Sequence, residues 1–252
     1  QNLINIEQDD KVKAFINTQD LKDEEYINSH CVIMATKQGQ IKKTSLEQYS
    51  RPRANGINAI TVKDGDELLE AKLTNGESEI LIAVKSGKAI RFEEGKTRPM
   101  GRNASGVRGI TLNGPDDAVV GMVSVNDLNT DILVVSANGY GKRSSLEDYR
   151  ATNRGGKGVK TISVTEKTGE LVSIKNVSDE NDLMIINKSG IAIRMSVDSL
   201  RVMGRATQGV KLINLKGGDS IAAVAKVMKE EESFEDQSLE GEENDTDGTN
   251  IE

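Results

Sequence analysis

Four apolar runs of strand length recur along the chain at nearly constant spacing. Each run is rich in Val, Ile or Leu and leads through a turn glycine into a second short run with a basic residue. The runs begin at Val32, Ile80, Ile132 and Leu183, before Gly39, Gly87, Gly139 and Gly190. These glycines lie 48, 52 and 51 residues apart. The pattern predicts β-hairpins whose turns need a positive φ, built on central strands that are buried on both faces.

A further strand is predicted in the second half of each unit. A glycine-containing or acidic turn comes first, and the alternating strands begin at Leu68, Val119, Leu171 and Ile221. One-turn helices are expected at 45–49 and 145–149. A repeat of about 50 residues with roughly four strands predicts an all-β, propeller-like array of blades. Because residues 11–16 match only a last strand, we expect residues 1–228 to hold the end of one blade plus four full blades.

Composition indicates which residues form the core and argues against disulfide-bonded and membrane-spanning proteins. Aromatic residues make up 3% of the chain and Trp is absent, so Val, Ile and Leu must build the core. The single cysteine, Cys31, excludes a disulfide within the chain and fits a reducing cytoplasm. No apolar run reaches the length that spans a bilayer, so we expect no membrane partner.

The net charge of -7 is unevenly distributed along the chain. Residues 229–252 contain 11 acidic residues and one lysine, whereas residues 1–228 contain 32 basic and 29 acidic residues. A segment with so little apolar content cannot bury enough surface to fold. We therefore predict a slightly basic domain followed by a disordered acidic tail at 229–252.

Basic residues recur in four columns at equivalent positions of the repeats. Scattered surface charge has no reason to keep register over four units, and packing does not require a guanidinium. We therefore interpret the columns as a surface that binds duplex DNA, although some members should be ordinary solvated side chains. The first column is Lys43, Arg91, Arg143 and Arg194; the second Arg51, Arg98, Arg150 and Arg201; the third Arg53, Arg102, Arg154 and Arg205; the fourth Arg108, Lys160 and Lys211.

The densest positive charge lies in the stretch 152–160, Thr-Asn-Arg-Gly-Gly-Lys-Gly-Val-Lys. Its glycines leave little to bury and let a backbone approach a ligand closely. Three cations would project from a compact loop whose own N–H groups are exposed, which suits a phosphate backbone. The alternative is a glycine-rich surface turn with solvated charges. Within this stretch, the residues predicted to contact DNA are Arg154, Gly155, Gly156, Lys157, Gly158 and Lys160.

Motifs within the repeats resemble the C-terminal domain of the bacterial DNA gyrase A subunit, from Gln1 to about Met228. The resemblance implies a six-bladed β-pinwheel, in which neighbouring blades exchange strands. It also implies a basic rim that wraps DNA, so that strand passage by the rest of the enzyme introduces negative supercoils. Lys142 and Arg143, within the first motif, are included among the expected DNA contacts. The motifs are Asn138-Gly-Tyr-Gly-Lys-Arg143, Met100-Gly101 with Gly106-Val-Arg-Gly109, Val62-Lys-Asp-Gly-Asp-Glu-Leu68, and Val202-Met-Gly-Arg205 through Thr207-Gln-Gly-Val210.

The signature box of that family has the order Gln, Arg or Lys, Arg, Gly, Gly, Lys, Gly. Residues 152–158 match its last five positions, whereas Thr152 and Asn153 depart from it. The family box belongs to the first blade, whereas this stretch falls in the fifth by alignment. The chain is therefore expected to hold the end of blade two and all of blades three to six.

No catalytic site, cofactor or metal is expected in this chain. His30 is the only histidine, and Tyr49 and Tyr149 occupy equivalent repeat positions, which indicates structural roles. The resemblance implies the non-catalytic part of an ATP-hydrolysing type II topoisomerase, an isomerase. ATP and Mg²⁺ would be used by other parts of the enzyme. The implied partners are duplex DNA, the rest of the gyrase A subunit, together with the gyrase B subunit.

Two alternatives stay open at this point. The C-terminal domain of the topoisomerase IV A subunit shares the blade, but it usually has fewer blades and degraded boxes. A propeller that binds proteins or glycans belongs to a different class and predicts aromatic loops at the blade tops. The low aromatic content and the registered cations disfavour that class.

Overall fold

The computed structural model describes residues 10–229, so all but Lys229 of the predicted acidic tail lies outside the described residues. The all-β class is confirmed. Within this range one α-helix, α1 (Glu24–Ser29), and three 3-10 turns (Leu46–Tyr49, Glu94–Lys96 and Leu146–Asp148) accompany the strands. The strands are β1 (Cys31–Thr36), β2 (Gln40–Ser45), β3 (Leu68–Thr74), β4 (Glu79–Val84), β5 (Lys88–Glu93), β6 (Val107–Arg108), β7 (Val119–Val125), β8 (Asp131–Ser136), β9 (Tyr140–Ser145), β10 (Val159–Lys160), β11 (Leu171–Val177), β12 (Asn181–Asn187), β13 (Ala192–Ser196), β14 (Val210–Lys211) and β15 (Ile221–Met228).

Each repeat forms one antiparallel sheet around its apolar run. The strand orders of the first to fourth repeats are β3-β1-β2-β6, β10-β5-β4-β7, β11-β8-β9-β14 and β13-β12-β15. The apolar runs are therefore central strands, as predicted. β1, β4 and β8 each bury five successive residues. β12 instead alternates between buried and half-buried residues, because no further sheet of the described chain covers its second face.

Three sheets take their fourth strand from the following repeat. β6 pairs with β2, β10 with β5 and β14 with β9, although each exchanged strand follows the next hairpin in sequence. Single bridges join Lys43 to Pro99, Arg91 to Ala151 and Arg143 to Val202. We call 99–108, 151–160 and 202–211 the exchanged segments. Strand exchange between neighbouring blades confirms the β-pinwheel.

The last strands of successive repeats pack together at the centre of the molecule. β3 packs on β7, β7 on β11, and β11 on β15. Apolar clusters fill the spaces between neighbouring sheets; for example, Leu81 and Ile132 share one cluster, and Leu133 and Leu183 share the next. The exchanged segments occupy the opposite edge of each sheet, so they form the outer rim.

The first three turn glycines contact the following repeat as well as closing their hairpins, whereas Gly190 has no such neighbour. All four have a positive φ, between 80° and 88°, as predicted. A Cβ on Gly39 would lie 2.8 Å from the carbonyl oxygen of Ile110, just beyond β6. A Cβ on Gly139 would meet the carbonyl of Ile213 at the same distance. Glycine therefore allows the next repeat to dock on the hairpin turn.

Residues 10–23 precede the first repeat without forming a strand, so the strand predicted at 11–16 is absent. In each repeat the last strand pairs with the first strand of the same repeat, and the described chain offers no such partner here. Part of this segment instead lines a groove of about 470 Å³ on the first sheet. α1 was not predicted, although Asp23 caps it by accepting hydrogen bonds from the amides of Glu25 and Tyr26.

Helical structure is otherwise confined to single turns. Those that begin at Leu46 and Leu146 confirm the one-turn helices predicted from the sequence, and the turn at Glu94 is an additional one. Across residues 10–229, no helix has the length and apolar character that a membrane crossing requires.

Candidate nucleic-acid interface

Apart from Arg51 and Arg53 of the first repeat, the second, third and fourth basic columns lie on or immediately before the exchanged segments. Arg98, Arg150 and Arg201 directly precede them, by one residue in each case. The third and fourth columns then follow within the same ten residues. Strand exchange therefore places three columns on the outer rim, where a large partner can reach them.

The first column does not lie on this surface. Its members make ion pairs and hydrogen bonds within the protein, so the premise that packing needs no guanidinium is wrong here. Arg143 Nη1 lies 2.6 Å from Asp179, and its Nε lies 2.5 Å from Asp131. Lys43 and Glu94 form a buried pair at 3.3 Å, and Arg194 pairs with Asp182 at 2.8 Å.

Arg91 illustrates why these side chains keep register. It pairs with Glu79 of its own sheet, and its Nη1 donates to the carbonyls of Leu146 and Tyr149 in the next repeat, each at 2.9 Å. Lys43 and Arg143 likewise reach Glu94 and the Val197 carbonyl of the repeat that follows. Lys43, Arg91 and Arg143 therefore hold neighbouring blades together, and their register follows from packing. The exposed Arg194 instead pairs with Asp182 of its own sheet.

Lys142 is also inside the protein, which corrects the expectation that it contacts DNA. It is 1% exposed, and its Nζ donates to the Gly204 carbonyl at 2.6 Å. Lys42 occupies the equivalent position and donates to the Ala59 carbonyl at 2.6 Å. Burial lowers the pKa of both lysines to about 8.

The second column is exposed. No hydrogen bond or ion pair within the described chain engages the side chains of Arg51, Arg98, Arg150 and Arg201. An unpaired guanidinium on a surface remains available to a phosphate, which it can bind through two parallel hydrogen bonds. This column has the properties that a DNA contact requires.

Members of the third and fourth columns meet across repeat boundaries. Arg154 Nη1 donates to the carbonyl of Arg108 at 3.0 Å, and its Nε to the carbonyl of Lys96 at 3.1 Å. Arg205 repeats this arrangement on Lys160, at 2.9 Å. The charges of one repeat therefore continue into the next. We call the second, third and fourth columns together the basic band.

The glycines of 152–160 serve the strand exchange. A Cβ on Gly158 would lie 2.5 Å from the carbonyl of Ala89, and the Gly155 amide donates to the carbonyl of Gly109 at 2.6 Å. The close backbone approach predicted for a ligand is thus made to the preceding repeat. Gly156 also faces that repeat, because its carbonyl accepts from the amide of Thr111 at 2.9 Å. Lys157 is exposed on the same loop.

The first and second repeats bring three predicted arginines together. Arg51, Arg53 and Arg102 line one shallow cleft of about 400 Å³ with Gln48 and Glu47. Glu47 is the one carboxylate in this lining, so the cleft carries excess positive charge. A cleft of this size and charge can accept a phosphate group.

A family model supports the identification of these repeats. The model described as "DNA gyrase C-terminal domain, beta-propeller" matches residues 32–75, 78–126, 130–178 and 181–228. The chain belongs to this family. The resemblance inferred from the sequence motifs is therefore confirmed, and each matched range contains one of the four apolar-run strands.

Relatives with the same repeats are gyrase subunits. The DNA gyrase A subunit of Staphylococcus epidermidis is 42% identical over 233 residues, which cover 92% of this chain and 26% of that protein. The Staphylococcus aureus protein of the same name is 42% identical over 238 residues, or 94% of the chain and 26% of that protein. The chain thus spans about a quarter of the length of these relatives.

Solved structures share the fold at lower identity. A DNA gyrase A C-terminal domain superposes with a TM-score of 0.78 and 24% identity, covering 90% of this chain and 74% of that one. A topoisomerase IV C-terminal domain gives a TM-score of 0.75 and 21% identity, covering 79% and 62%. At these identities the likeness establishes the fold alone.

The gyrase-like repeats contain basic residues that the four columns missed. Lys88 begins β5 and lies opposite Lys160 in the register of β10. Lys167 and Lys216 stand in turns before β11 and β15. Lys88 could have been found from its place beside a turn glycine, but its pairing with Lys160 depends on the exchanged strand, which the local sequence does not reveal.

In the described range, the environment of the two repeat tyrosines is defined by hydrogen bonds within the protein. No group of three or more His, Cys, Asp or Glu residues there could hold a metal ion. Tyr149 is fully buried and hydrogen-bonds the hydroxyl of Thr161, and burial raises its pKa to about 12. Tyr49 donates to the carbonyl of Ala59 at 2.9 Å. Both tyrosines have the structural role that was predicted.

Proposed function

We propose that this domain binds duplex DNA along the basic band without sequence preference. The observation that carries the proposal is the contact of Arg154 with Arg108, repeated by Arg205 with Lys160, which makes the band continuous across repeats. A continuous row of cations on a curved rim matches a phosphate backbone that follows the same curve. Such contacts depend on charge and fix no base identity.

The residue types in the basic band suit contact with phosphate. Arginine can bind a phosphate oxygen pair through its planar fork, and it predominates in the second and third columns. The contacts that Arg154 and Arg205 make with carbonyls hold their guanidinium groups in place. Pre-ordered cations lose less side-chain entropy when DNA binds.

We further propose that the domain serves as the DNA-wrapping part of a gyrase A subunit. Its relatives are about four times longer, so the remaining functions of the enzyme would belong to other segments and subunits. Wrapping would present a DNA segment for ATP-dependent strand passage and so favour negative supercoiling. The partners would then be duplex DNA, the B subunit and the rest of the A subunit. The complex would act in the cytoplasm.

A salt titration with two unrelated duplexes of equal length tests DNA binding. If about six phosphates are neutralised, log affinity should fall against log salt with a slope of about -5 for both duplexes. The triple variant R51A/R150A/R201A should bind more weakly and with a shallower slope. The double variant K37A/K85A is the control, because these lysines are already paired with Glu67 and Glu170. No binding by the wild type at low salt would overturn the proposal.

A further inference from the structure

A polar cleft of about 280 Å³ lies between the third and fourth repeats. It differs from the basic band because it is formed by turns at the hairpin end of the sheets. The third repeat supplies Asn138, Tyr140 and Lys167. The fourth supplies Lys211 at the end of its exchanged segment and the turn Lys216–Asp219. We call this site the lysine cleft.

The turn of the third repeat departs from the pattern of the others. In the first two repeats an aspartate accepts a hydrogen bond from the amide before the turn glycine: Asp66 from Gln38, and Asp117 from Ser86. In the third repeat the Asn138 amide instead donates to the backbone carbonyl of Thr168 at 3.0 Å. The carboxylate is therefore missing from this position, and the local charge becomes more positive.

The same departure positions Lys167. The side-chain amide of Asn138 donates to the carbonyls of Glu166 and Lys167, at 2.9 and 3.2 Å, and so fixes the loop. The ammonium of Lys167 lies 5.3 Å from the centre of the Tyr140 ring. Tyr140 is also the register partner of Lys211, so this tyrosine has a lysine of the fourth repeat as its cross-strand neighbour.

The ammonium groups of the cleft have no anionic partner. Neither an ion pair nor a hydrogen bond within residues 10–229 engages the side chains of Lys167, Lys211 and Lys216. Asp219 is the one carboxylate in the lining, and it already accepts hydrogen bonds from the Ser189 hydroxyl and the Ser220 amide. Three cations around one engaged carboxylate favour the entry of an anion.

We propose that the lysine cleft binds a phosphate oxyanion, supplied by the DNA backbone. The proposal rests on the proposed function for the source of the phosphate. Three ammonium groups line the cleft beside a glycine turn in which Gly218 has a φ of 83°, and such a cluster of cations attracts an anion. Lys211 also belongs to the fourth column, so DNA that follows the basic band passes the mouth of the cleft. Binding there would attach the duplex to the side of the rim.

The double variant K167A/K216A tests the cleft while leaving Lys211 in the basic band. We expect DNA affinity to fall roughly tenfold at low salt and the salt slope to become shallower by about 2. The variant K37A/K85A removes the same charge from lysines that are ion-paired, and it should bind DNA as the wild type does. The melting temperature without ligand should match that of the wild type in both variants, because exposed lysines contribute little to folding.

Pyrophosphate serves as a second probe, free of the rest of the DNA. At about ten times its Kd it should raise the melting temperature of the wild type by roughly 3 °C. The rise should be clearly smaller in K167A/K216A, which keeps only the arginine cleft of the first two repeats. A K167A/K216A variant that keeps the DNA affinity and salt slope of the wild type and responds equally to pyrophosphate would give the opposite result. That result would show that the lysine cleft is not a phosphate site, without contradicting the proposed function. A wild type that binds pyrophosphate in the cleft but not DNA would uphold the cleft and overturn the proposed function.

Discussion

Lys160 lies directly opposite Lys88 across the pairing of β10 with β5. The two residues come from different repeats, and neither side chain has an ion pair or hydrogen bond within the described chain. Like charges directly opposite each other destabilise a sheet. A pairing that disfavours folding is expected where an external anion compensates the charges, and the outer rim is such a place.

Replacing Lys160 with glutamate should separate folding from binding. K160E turns a repulsive cross-strand pair into an attractive one, so the free energy of unfolding should rise by roughly 0.2–1 kcal/mol. DNA affinity should fall, because the variant carries a negative charge within the basic band. Urea unfolding and fluorescence anisotropy with a labelled duplex measure the two effects. If stability and affinity both decrease, the pair has a structural role instead.

Replacing an interior arginine should mainly reduce stability, whereas replacing a rim arginine of the same repeat should mainly weaken DNA binding. R143A leaves Asp131 without its partner in a buried interface and removes a donor from the Val197 carbonyl, so we expect a loss of about 3 kcal/mol in unfolding free energy. R150A should change stability by less than about 0.5 kcal/mol but weaken DNA binding. Denaturant unfolding and DNA titration on both variants make the comparison. If R143A is as stable as the wild type but binds DNA more weakly, Arg143 contacts DNA and has no structural role.

Arg154 and Lys157 lie in the same exchanged segment, but their replacement should affect stability differently. Arg154 joins two repeats through the carbonyls of Lys96 and Arg108, so R154A should lower the unfolding free energy by about 1–2 kcal/mol as well as weaken DNA binding. K157A should weaken DNA binding alone, because Lys157 is exposed. The double variant R102A/R108A provides the comparison for DNA affinity, and a loss there equal to that of R154A/K157A would deny the loop a special role. Stability unchanged in R154A would contradict the contact.

Local sequence predicted the parts of the fold that depend on neighbouring residues. The predicted starts of the last strands, such as Leu68 and Val119, coincide with the starts of β3 and β7. Four turn glycines have the expected positive φ, because a tight hairpin makes that demand within a few residues. The strand expected at 11–16 is absent because its formation depends on a residue pairing that is not local in sequence. A strand needs a paired neighbour, and an alternating pattern cannot supply one.

The role of each basic residue was harder to predict, because its partner is distant in sequence. Arg91 and Arg98 are both repeated cations, yet Arg91 binds carbonyls at Leu146 and Tyr149, more than 50 residues away, and Arg98 is exposed. The periodicity of both columns is the same. Two-residue strands such as β6 are also too short to show an alternating pattern, so their pairing partners could not be deduced.

The stability of the domain should depend on pH through the buried lysines Lys42 and Lys142 and the buried Tyr149. Burial lowers the pKa of Lys142 from 10.5 to about 8, so between these values the unfolded chain binds more protons than the folded one. The free energy of unfolding should therefore rise with pH in this window, by at most about 1.4 kcal/mol per pH unit for this lysine. Above pH 10 the raised pKa of Tyr149 acts in the opposite direction, because the unfolded chain loses that proton first.

Urea unfolding at a series of pH values from 7 to 11 measures this profile. K142M should make the rise shallower without abolishing it, because burial lowers the pKa of Lys42 to the same value. The double variant K42M/K142M should flatten the rise, since it removes both titrating groups but keeps unbranched side chains of similar length. K157M is the matched control, because Lys157 is exposed, and it should keep the slope of the wild type. An equally steep rise in K42M/K142M would show that other groups produce the pH dependence.

Deletion of the acidic tail should tighten DNA binding. Residues 230–252 lie outside the described residues, but their sequence has 11 acidic residues and no basic one. They follow β15, so they are tethered to the fourth repeat, which carries Arg205 and Lys211. A tethered polyanion has an effective concentration in the millimolar range, so even weak contacts would compete with DNA.

Competition of this kind predicts a definite dependence on salt. A chain that ends at Met228 should bind a duplex more tightly than the full chain at low salt. The difference should shrink as the Debye length falls from about 10 Å at 0.1 M to about 3 Å at 1 M. A full-length variant with the acidic residues of 230–252 changed to Asn or Gln is the control, because it keeps the tether and removes the charge. It should match the truncated chain if charge is responsible; affinity curves that superimpose for all three proteins would show that the tail does not compete.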